Sequence, residues 1–357
     1  NNNNNSYNNN NNSNNKHWIN FVPTSHVLRL PVSLLEEHFD DYPHHDKPSN
    51  MSMNMTQFDE TLNQALLQSG FQSFTHNNNQ TWILKPSITN RASGISLFQS
   101  YTQLRDAVRS TDSIQRAGDF VIQSYIPPLL LDNRKFHLRV FVLLVGNLTA
   151  YVHPDFLAIF SLEPYTNAPI HNTRAHLTNI SHQHISSVQQ EERCMRKLDE
   201  TLQDMIQAKH VHTIHEAKQK VAQIQQRVYD IVAETIQAVS SELTFQAKPN
   251  CFELFGFDFL VDPHWNVWLL EANAEPDLAM AGDRLEHVIQ DVLTSALHIV
   301  LQSYSHKFSY NHPNHDDTHG NNNISSNPTT NNFHDCPNAG TNTTSFVQVY
   351  ERKGRSY

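Results

Sequence analysis

The sequence predicts an α+β fold, or an α/β fold whose sheet is largely antiparallel, from three observations. Strand-like apolar runs recur between residues 81 and 153 and again between 251 and 271. Stretches with apolar residues three and four apart, the helical period, stand in separate blocks around 56–70, 101–109, 186–241 and 283–301. The last two strand-like runs are joined by a loop too short for a crossover, so they pair antiparallel. The two ends read differently. Twelve of the first 15 residues are asparagine, and from 304 onward Asn, His, Thr, Ser and Pro predominate. Such tracts bury too little apolar surface to offset the entropy of ordering them. The expected organisation is a disordered Asn-rich tail over 1–16, an N-terminal lobe with a variable loop over 17–80, a main domain over 81–303, and a disordered Asn/His/Thr-rich tail over 304–357.

Taken in order, the run from Trp18 to Pro31 is cut by Pro23 and Pro31 and predicts short extended pieces. Pro43 to Met55 is polar and Met-rich, a loop or insert. Thr56 stands as N-cap of a helix whose inner face is Phe58, Leu62, Ala65 and Leu66, with Gly70 at the C-terminal cap. Strands are predicted at Thr81–Lys85, Phe120–Ile126, Phe136–Val145 and Leu148–His153. A helix over Tyr101–Arg109, with Leu104 and Val108 four apart, separates the first two. Ser186–Ser241 contains no Pro or Gly and predicts two helices, one on Leu198, Leu202 and Met205, the other on Val221, Ile224, Val228 and Ile231. Cys251–Val261 and Val267–Glu271 form a hairpin through Asp262–Asn266, and a helix over Asp283–Leu301 follows.

Charge and cysteine content narrow the function. Lys and Arg number 25 against 35 Asp and Glu, a formal charge of −10 without a run of five like charges. A mildly acidic chain lacking a basic stripe speaks against direct nucleic-acid binding and against a membrane surface. Cys194, Cys251 and Cys336 are widely spaced, without a C-x-x-C pair, and read as reduced thiols. No apolar run reaches the ~18 residues of a membrane span, and Phe136–Val145 is broken by His137 and Arg139. The first residue is Asn and no signal-peptide pattern follows it, so the expectation is a soluble cytoplasmic protein or a piece of a longer one.

Three places gather side chains with chemical potential. In the final hairpin, Asp258 shares a face with Gly256 and Leu260, and Glu271 shares one with Asn273, because alternate strand residues point the same way. The short loop sets Asp258 across from Glu271. Two carboxylates facing each other among Phe, Leu and Trp repel and are costly to desolvate, a conflict that a divalent cation removes. With the amide oxygen of Asn273 they make a set of hard oxygen donors suited to Mg²⁺. Acids on a solvated edge hairpin are the alternative. Second, Lys85 ends a strand and is followed by a small-residue loop, Thr89–Ile95, containing Arg91 and Gly94. A point charge and a loop whose backbone N–H groups can approach closely suit a polyphosphate. A plain surface turn accounts for the loop alone. Third, Lys135, His137 and Arg139 alternate along one face of a strand that continues into the apolar run Val140–Val145. Three cations there repel one another unless an anion lies before them.

Seven strings in order, Lys85-Pro86-Ser87, Gln123–Ile126, Arg134–Arg139, Glu163-Pro164-Tyr165, His176–Asn179, Phe255–Leu260 and Leu269–Ala274, resemble the tubulin–tyrosine ligase family, a branch of the ATP-grasp ligases. Asp132–His137 together with Glu271–Asp277 looks most like the fungal members, including the P-body-associated one. The resemblance spans about Thr81 to Leu301 and implies an ATP-grasp fold, in which two largely antiparallel sheets with flanking helices grip ATP. It implies that Lys85 and the Arg91–Gly94 loop meet the phosphates, and that Gln123, Ser124, Tyr125 and Ile126 form the hinge reading adenine. Lys135 and His137 would lie along the nucleotide, and Thr178 and Asn179 close to ribose or phosphate. Asp258, Glu271 and Asn273 would bind Mg²⁺, and Arg139 with Lys135 would serve catalysis. The implied activity is ATP- and Mg²⁺-dependent joining of an amino acid to a protein acceptor, tubulin being the family's usual one, through an acyl-phosphate.

Three positions depart from the family pattern. Ser124 stands where many members have Lys, and His137 where Asp is usual. Ile159 stands four residues before the Glu of Glu-Pro-Tyr, where an Arg commonly helps hold the amino-acid or peptide carboxylate. An isoleucine cannot do that. The alternative reading is therefore a weakly active or inactive ATP-binding module acting as a cytoplasmic scaffold. His210, His212 and His215 read as surface histidines, since no acid or Cys stands at ligand spacing, and the Asn-rich ends read as linkers.

Overall fold

The computed structural model describes residues 21–30, 55–72, 80–87, 94–109, 119–165, 169–183, 185, 187–240, 248, 251–278, 283–308 and 344–352. Strand β1 (Ser25–Arg29), helix α1 (Met55–Ser69), strands β2 (Trp82–Pro86) and β3 (Ser96–Phe98), helix α2 (Tyr101–Arg109) and strand β4 (Asp119–Ser124) build a first sheet of order β1-β4-β2-β3, antiparallel throughout. Alternation along β2 decides what each side chain does. Trp82 and Leu84 turn into a core with Phe120, Ile122 and the α1 face Phe58, Leu62, Ala65 and Leu66, so Ile83 and Lys85 point the other way. Helix α1 stops at Gly70, whose φ of +73° lets its N–H reach Leu67 O (3.1 Å) while Phe71 N–H reaches Leu66 O (3.2 Å). Phe71 then packs edge-on against Trp82 at 4.9 Å.

The second sheet is larger. It comprises β5 (Leu130–Leu131), β6 (Arg134–Val145), β7 (Thr149–Val152), β8 (Leu157–Phe160), β9 (Met195–Lys197), β10 (Phe252–Val261), β11 (Val267–Asn273) and β12 (Val347–Glu351), flanked by the long helices α3 (Ile214–Val239) and α4 (Glu286–Phe308). Its main order is β11-β10-β6-β7-β12. β8 pairs the first half of β6 and also β9, and every pairing is antiparallel. β6 is the spine. Its even-numbered face, Phe136, Leu138, Val140 and Val142, joins the core under α3, whose inner stripe is Val221, Ile224, Val228 and Ile231. Its odd-numbered face is divided: Phe141, Leu143 and Val145 are covered by α4, while Lys135, His137 and Arg139 are left before the cleft between the two sheets.

Several expectations are corrected here. Ser186–Ser241 does not make two helices: a helix over Val188–Cys194 gives way to β9, a 3₁₀ turn Leu198–Thr201 and a helix Leu202–Gln207 before α3 begins. Met195 pairs with Ile159 on the open edge of β8, so a tertiary partner overrides the local helical period. β3 and β8 are strands that sequence periodicity passed over because they are only 3 and 4 residues long. Thr56 lies inside α1, after Met55. The tail expected to lack structure from 304 onward instead begins with the end of α4 and contains β12, whose Val-Gln-Val-Tyr-Glu pattern is hidden when composition is averaged over an Asn-rich stretch. The loop at 43–54, the Asn-rich 1–16 and Arg91 lie outside the described residues. No described helix is long and apolar enough to cross a membrane.

Leu138 is wholly buried at the middle of β6. Leu138→Ala is expected to cost about 2–5 kcal/mol, read as a lower urea midpoint at an unchanged slope.

Candidate active site

A cleft of about 930 Å³ opens between the sheets, within the size of small-molecule sites. The first sheet contributes Ile83, Lys85 and Gln123, which share one face because Ile83 pairs with Gln123 and Lys85 with Val121. The second contributes Lys135, His137, Arg139, Asp258 and Glu271. The connection at Ser124–Ile126 is fixed at its backbone: Ser124 N–H donates to Thr24 O (2.8 Å) and Tyr125 N–H to Thr81 O (3.0 Å). Gln123 is tied to β1 through Ser25 Oγ (3.1 Å). Thr178 and Asn179, brought in by the chain after a helical turn at Thr173–His176, line the same cleft. Gly94 is described with φ +75°, outside the cleft lining.

Register explains the acidic side. Asp258 on β10 pairs with Glu271 on β11 and, on its other flank, with Arg139 on β6. Arg139 grips Asp258 with two hydrogen bonds, Nε to Oδ1 at 2.6 Å and Nη2 to Oδ2 at 3.0 Å, and all but a few per cent of both side chains is buried. Sequence reasoning paired Asp258 with Glu271 and missed this third strand. Burial first, then the negative charge and hydrogen bond of Asp258, raise the Glu271 carboxyl, while Lys85 and an Asn273 amide donating to Glu271 Oε1 (3.3 Å) oppose the rise. A divalent cation would relieve the repulsion between the Glu271 and Asp258 carboxylates. The donor set, two carboxylates and the amide oxygen of Asn273 on one strand face, therefore fits magnesium.

The basic side is desolvated. Burial, and then the charge of Lys85, pushes the Lys135 ammonium down to about 7. Lys85 itself is lowered by burial against the pull of Glu271 and Asp258. His137 is pushed down to about 3 by burial and then by Arg139, so it is neutral near pH 7. Its Nδ1 meets Thr178 Oγ1 at 2.5 Å, and its buried Nε2 has no hydrogen-bond partner among the described residues, standing 3.8 Å from Asp258 Oδ1. Lys135 Nζ donates to the Tyr125 hydroxyl at 3.3 Å, and that hydroxyl shares a hydrogen bond with His176 Nδ1 at 3.0 Å. Tyr165 packs edge-on against the His176 ring at 5.0 Å. Three strings far apart in the chain, at Tyr125, Tyr165 and His176, are thus one polar network that holds Lys135 in place.

Two residues that sequence reasoning did not assign bear on Arg139. A Cβ on Gly256 would stand 3.0 Å from Arg139 Cδ and 3.0 Å from Pro276 Cβ, so the glycine is the space through which Arg139 reaches Asp258. A glycine inside a strand pattern was the available signal. Asp277 joins Asp258 and Glu271 in raising the Arg139 guanidinium despite the burial that lowers it. Ile159, in contrast, is not at the cleft wall. It is fully buried with Leu157, Met195 and α4 side chains, although it pairs with His137. Glu163 bonds Asn172 (2.8 Å) and Arg174 (3.3 Å), away from the cleft. His210 contacts Leu130 O (2.7 Å), His212 precedes α3, and His215 lies beside Gln219. Among the described residues no group of three His, Cys, Asp or Glu is placed to hold a metal ion.

Comparison with known proteins gives the family and the fold. The sequence profile described as "Tubulin-tyrosine ligase family" matches residues 7–308. A probable tubulin–tyrosine ligase of Schizosaccharomyces pombe is 27% identical over 308 residues, covering 76% of this chain and 72% of that protein. The probable tubulin–tyrosine ligase PBY1 of Saccharomyces cerevisiae is 28% identical over 253 residues, but only 32% of its length is covered, against 59% of this chain. Among solved structures, the C-terminal domain of K. lactis Pby1, described as an ATP-grasp enzyme interacting with the mRNA decapping enzyme Dcp2, superposes with a TM-score of 0.51 at 21% identity, over 94% of this chain and 73% of that one. That likeness shows the ATP-grasp fold.

Gly256→Ala is expected to push Arg139 off Asp258, lowering stability by about 1–3 kcal/mol. Thermal unfolding and nucleotide titration together check it. Because burial and Lys85 push the Lys135 ammonium down to about 7 and only the ammonium form attracts phosphate, nucleotide binding is expected to take up protons and to weaken as pH rises above about 7. Titration calorimetry in two buffers of different ionisation enthalpy measures that uptake, which Lys135→Met should abolish.

Proposed function

Because this chain belongs to the tubulin–tyrosine ligase family, we propose that it is an ATP- and Mg²⁺-dependent carboxylate–amine ligase that joins an amino acid to a protein acceptor, tubulin being the first candidate. One observation carries the reading: the first sheet sets Lys85, and the second sets Lys135, Arg139, Asp258 and Glu271, around one cleft. The fold family implies ATP, and magnesium, when bound by Asp258, Glu271 and Asn273, would neutralise phosphate charge. Lys85 and Lys135 approach from opposite walls and supply the countercharge for a polyphosphate. Thr178, its hydroxyl held by neutral His137, and Asn179 border the same space. In the proposed reaction a carboxylate oxygen attacks the γ-phosphorus and ADP leaves. An amine then attacks the acyl carbon, phosphate leaves, and the amine's proton passes to solvent or phosphate. Arg139 is the cation placed to steady the charge on the transferring group.

Asp258 has both oxygens engaged by Arg139, so the present pose of Arg139 and a cation at Asp258 are alternatives. Nucleotide loading would therefore turn the guanidinium toward the carboxylate it helps activate. Free thiols at Cys194 and Cys251 fit a reducing, cytoplasmic setting.

A second reading, an ATP-binding scaffold with little activity, is favoured by Ile159. Its place in an apolar core means that no second arginine faces the acceptor carboxylate there. The loss of one charge-assisted contact costs on the order of 1.5–3 kcal/mol, so turnover on tubulin tails is expected to fall below ~1 s⁻¹.

Asp258→Asn and Glu271→Gln should each weaken magnesium-dependent ATP binding at least tenfold, about 1.4 kcal/mol; Glu271→Gln should leave the melting temperature unchanged, whereas Asp258→Asn should also lower it, because the buried Arg139 guanidinium loses its carboxylate. Unchanged Mg·ATP titrations in both variants would exclude the metal assignment. Mass spectrometry of tubulin and total protein after incubation with ATP, Mg²⁺ and labelled amino acids separates the readings: ATP-dependent addition supports the ligase, and its absence with normal ATP binding supports the scaffold. Ile159→Arg is expected to restore nothing, because it buries a guanidinium in an apolar cluster and lowers stability by several kcal/mol, on the order of 3–5.

A further inference from the structure

The free edge of β7 is covered by β12, a strand separated from the end of α4 by the 38 residues 309–346. Its seat has three parts. Val347 and Gln348 pair with Val152 and Tyr151, and after a bulge Tyr350 and Glu351 pair with Ala150 and Thr149. Phe346, 7% exposed, enters an apolar socket walled by α4 side chains and meets the His153 ring edge-on at 5.2 Å. At the mouth of the socket, Ser345 N–H donates to Ser295 Oγ at 3.3 Å. Asp291 accepts from the Ser345 side chain and from His153 Nε2 (3.0 Å). The His153 orientation is set, since its Nδ1 accepts from Asp155 N–H at 3.3 Å and leaves Nε2 to donate. Val349 and Tyr350 add partial burial against the core under α3.

These are the components of peptide recognition by strand addition: an unpaired edge for affinity, an aromatic socket for specificity and a polar notch for register. The connecting residues 309–343 offer few apolar side chains, chiefly Tyr310, Ile324 and Phe333. We propose that the edge of β7, with the socket formed by His153, Asp291 and Ser295, is a binding site for an extended peptide of the pattern Ser-Phe-Val-x-Val-Tyr. The chain's own Ser345–Tyr350 fills it at rest, and a separate segment of the same pattern competes for it. A tether of this length holds the resident strand at an effective concentration on the order of 1 mM or below.

The test uses a labelled peptide covering residues 344–352 and two proteins, the unaltered chain and one carrying Phe346→Asp and Val349→Asp, which ejects the resident strand. For a peptide of roughly 10 µM affinity, the doubly substituted chain should bind about 100-fold more tightly than the unaltered chain, and a peptide with alanine in place of Phe346 should bind neither. A folded variant that ignores the peptide overturns the proposal. So does a variant that cannot fold, because the strand is then part of the fold itself. Hydrogen exchange of the unaltered chain gives an independent reading. Amides of Val347–Glu351 should open at lower free energy than those of β6, and exchange of both together only on global unfolding would refute displacement.

Discussion

The pairing of Arg139 with Asp258 across β6 and β10 is the contact on which the cleft depends. β6 is the spine of the second sheet, flanked by β10 on one side and by β7 and β8 on the other, and it is buried along nearly its whole length. A strand so enclosed can carry Lys135, His137 and Arg139 on one face only if each charge is silenced or matched. Burial silences His137 and weakens Lys135, and Asp258 matches Arg139. Gly256 supplies the space for that match, and Pro276 closes it from the far side.

The consequence is a site whose resting charges are already set for an anion. Lys85 and Lys135 repel one another across the cleft, and Asp258 and Glu271 repel one another across the hairpin. In the proposed reading a magnesium-bound polyphosphate would answer both conflicts at once, its phosphates meeting the lysines and its cation the carboxylates. In that reading the complementarity would serve nucleotide binding, whichever acceptor, if any, is modified. Ligase chemistry is the proposed reading, and Ile159, in the apolar core, lies outside the cleft.

Tertiary pairing also redraws the elements around the site. β9 forms because β8 offers an open edge, and β12 forms because β7 does. In each case a few residues, helical by periodicity or lost in a polar tract, are recruited by unsatisfied backbone groups. Tyr125, His176 and Tyr165 show the same effect among side chains: three strings with no local relation share one hydrogen-bonded cluster against Lys135.

The amino-acid sequence by itself determined the long elements, since α1, α3, α4, β6 and the β10–β11 hairpin follow from apolar period and turn residues that act within a dozen positions. It also determined that Asp258 faces Glu271 and that Lys135, His137 and Arg139 share a face, because strand alternation is a local rule. Only the tertiary structure decided that Arg139 belongs to Asp258, that Gly256 makes room for it, and that Ile159 lies in the core under α4 although His137 beside it faces the cleft. Those outcomes turn on which strand lies next to which and on which half of a face a helix covers. Both are set by long-range packing, to which local spacing carries no signal.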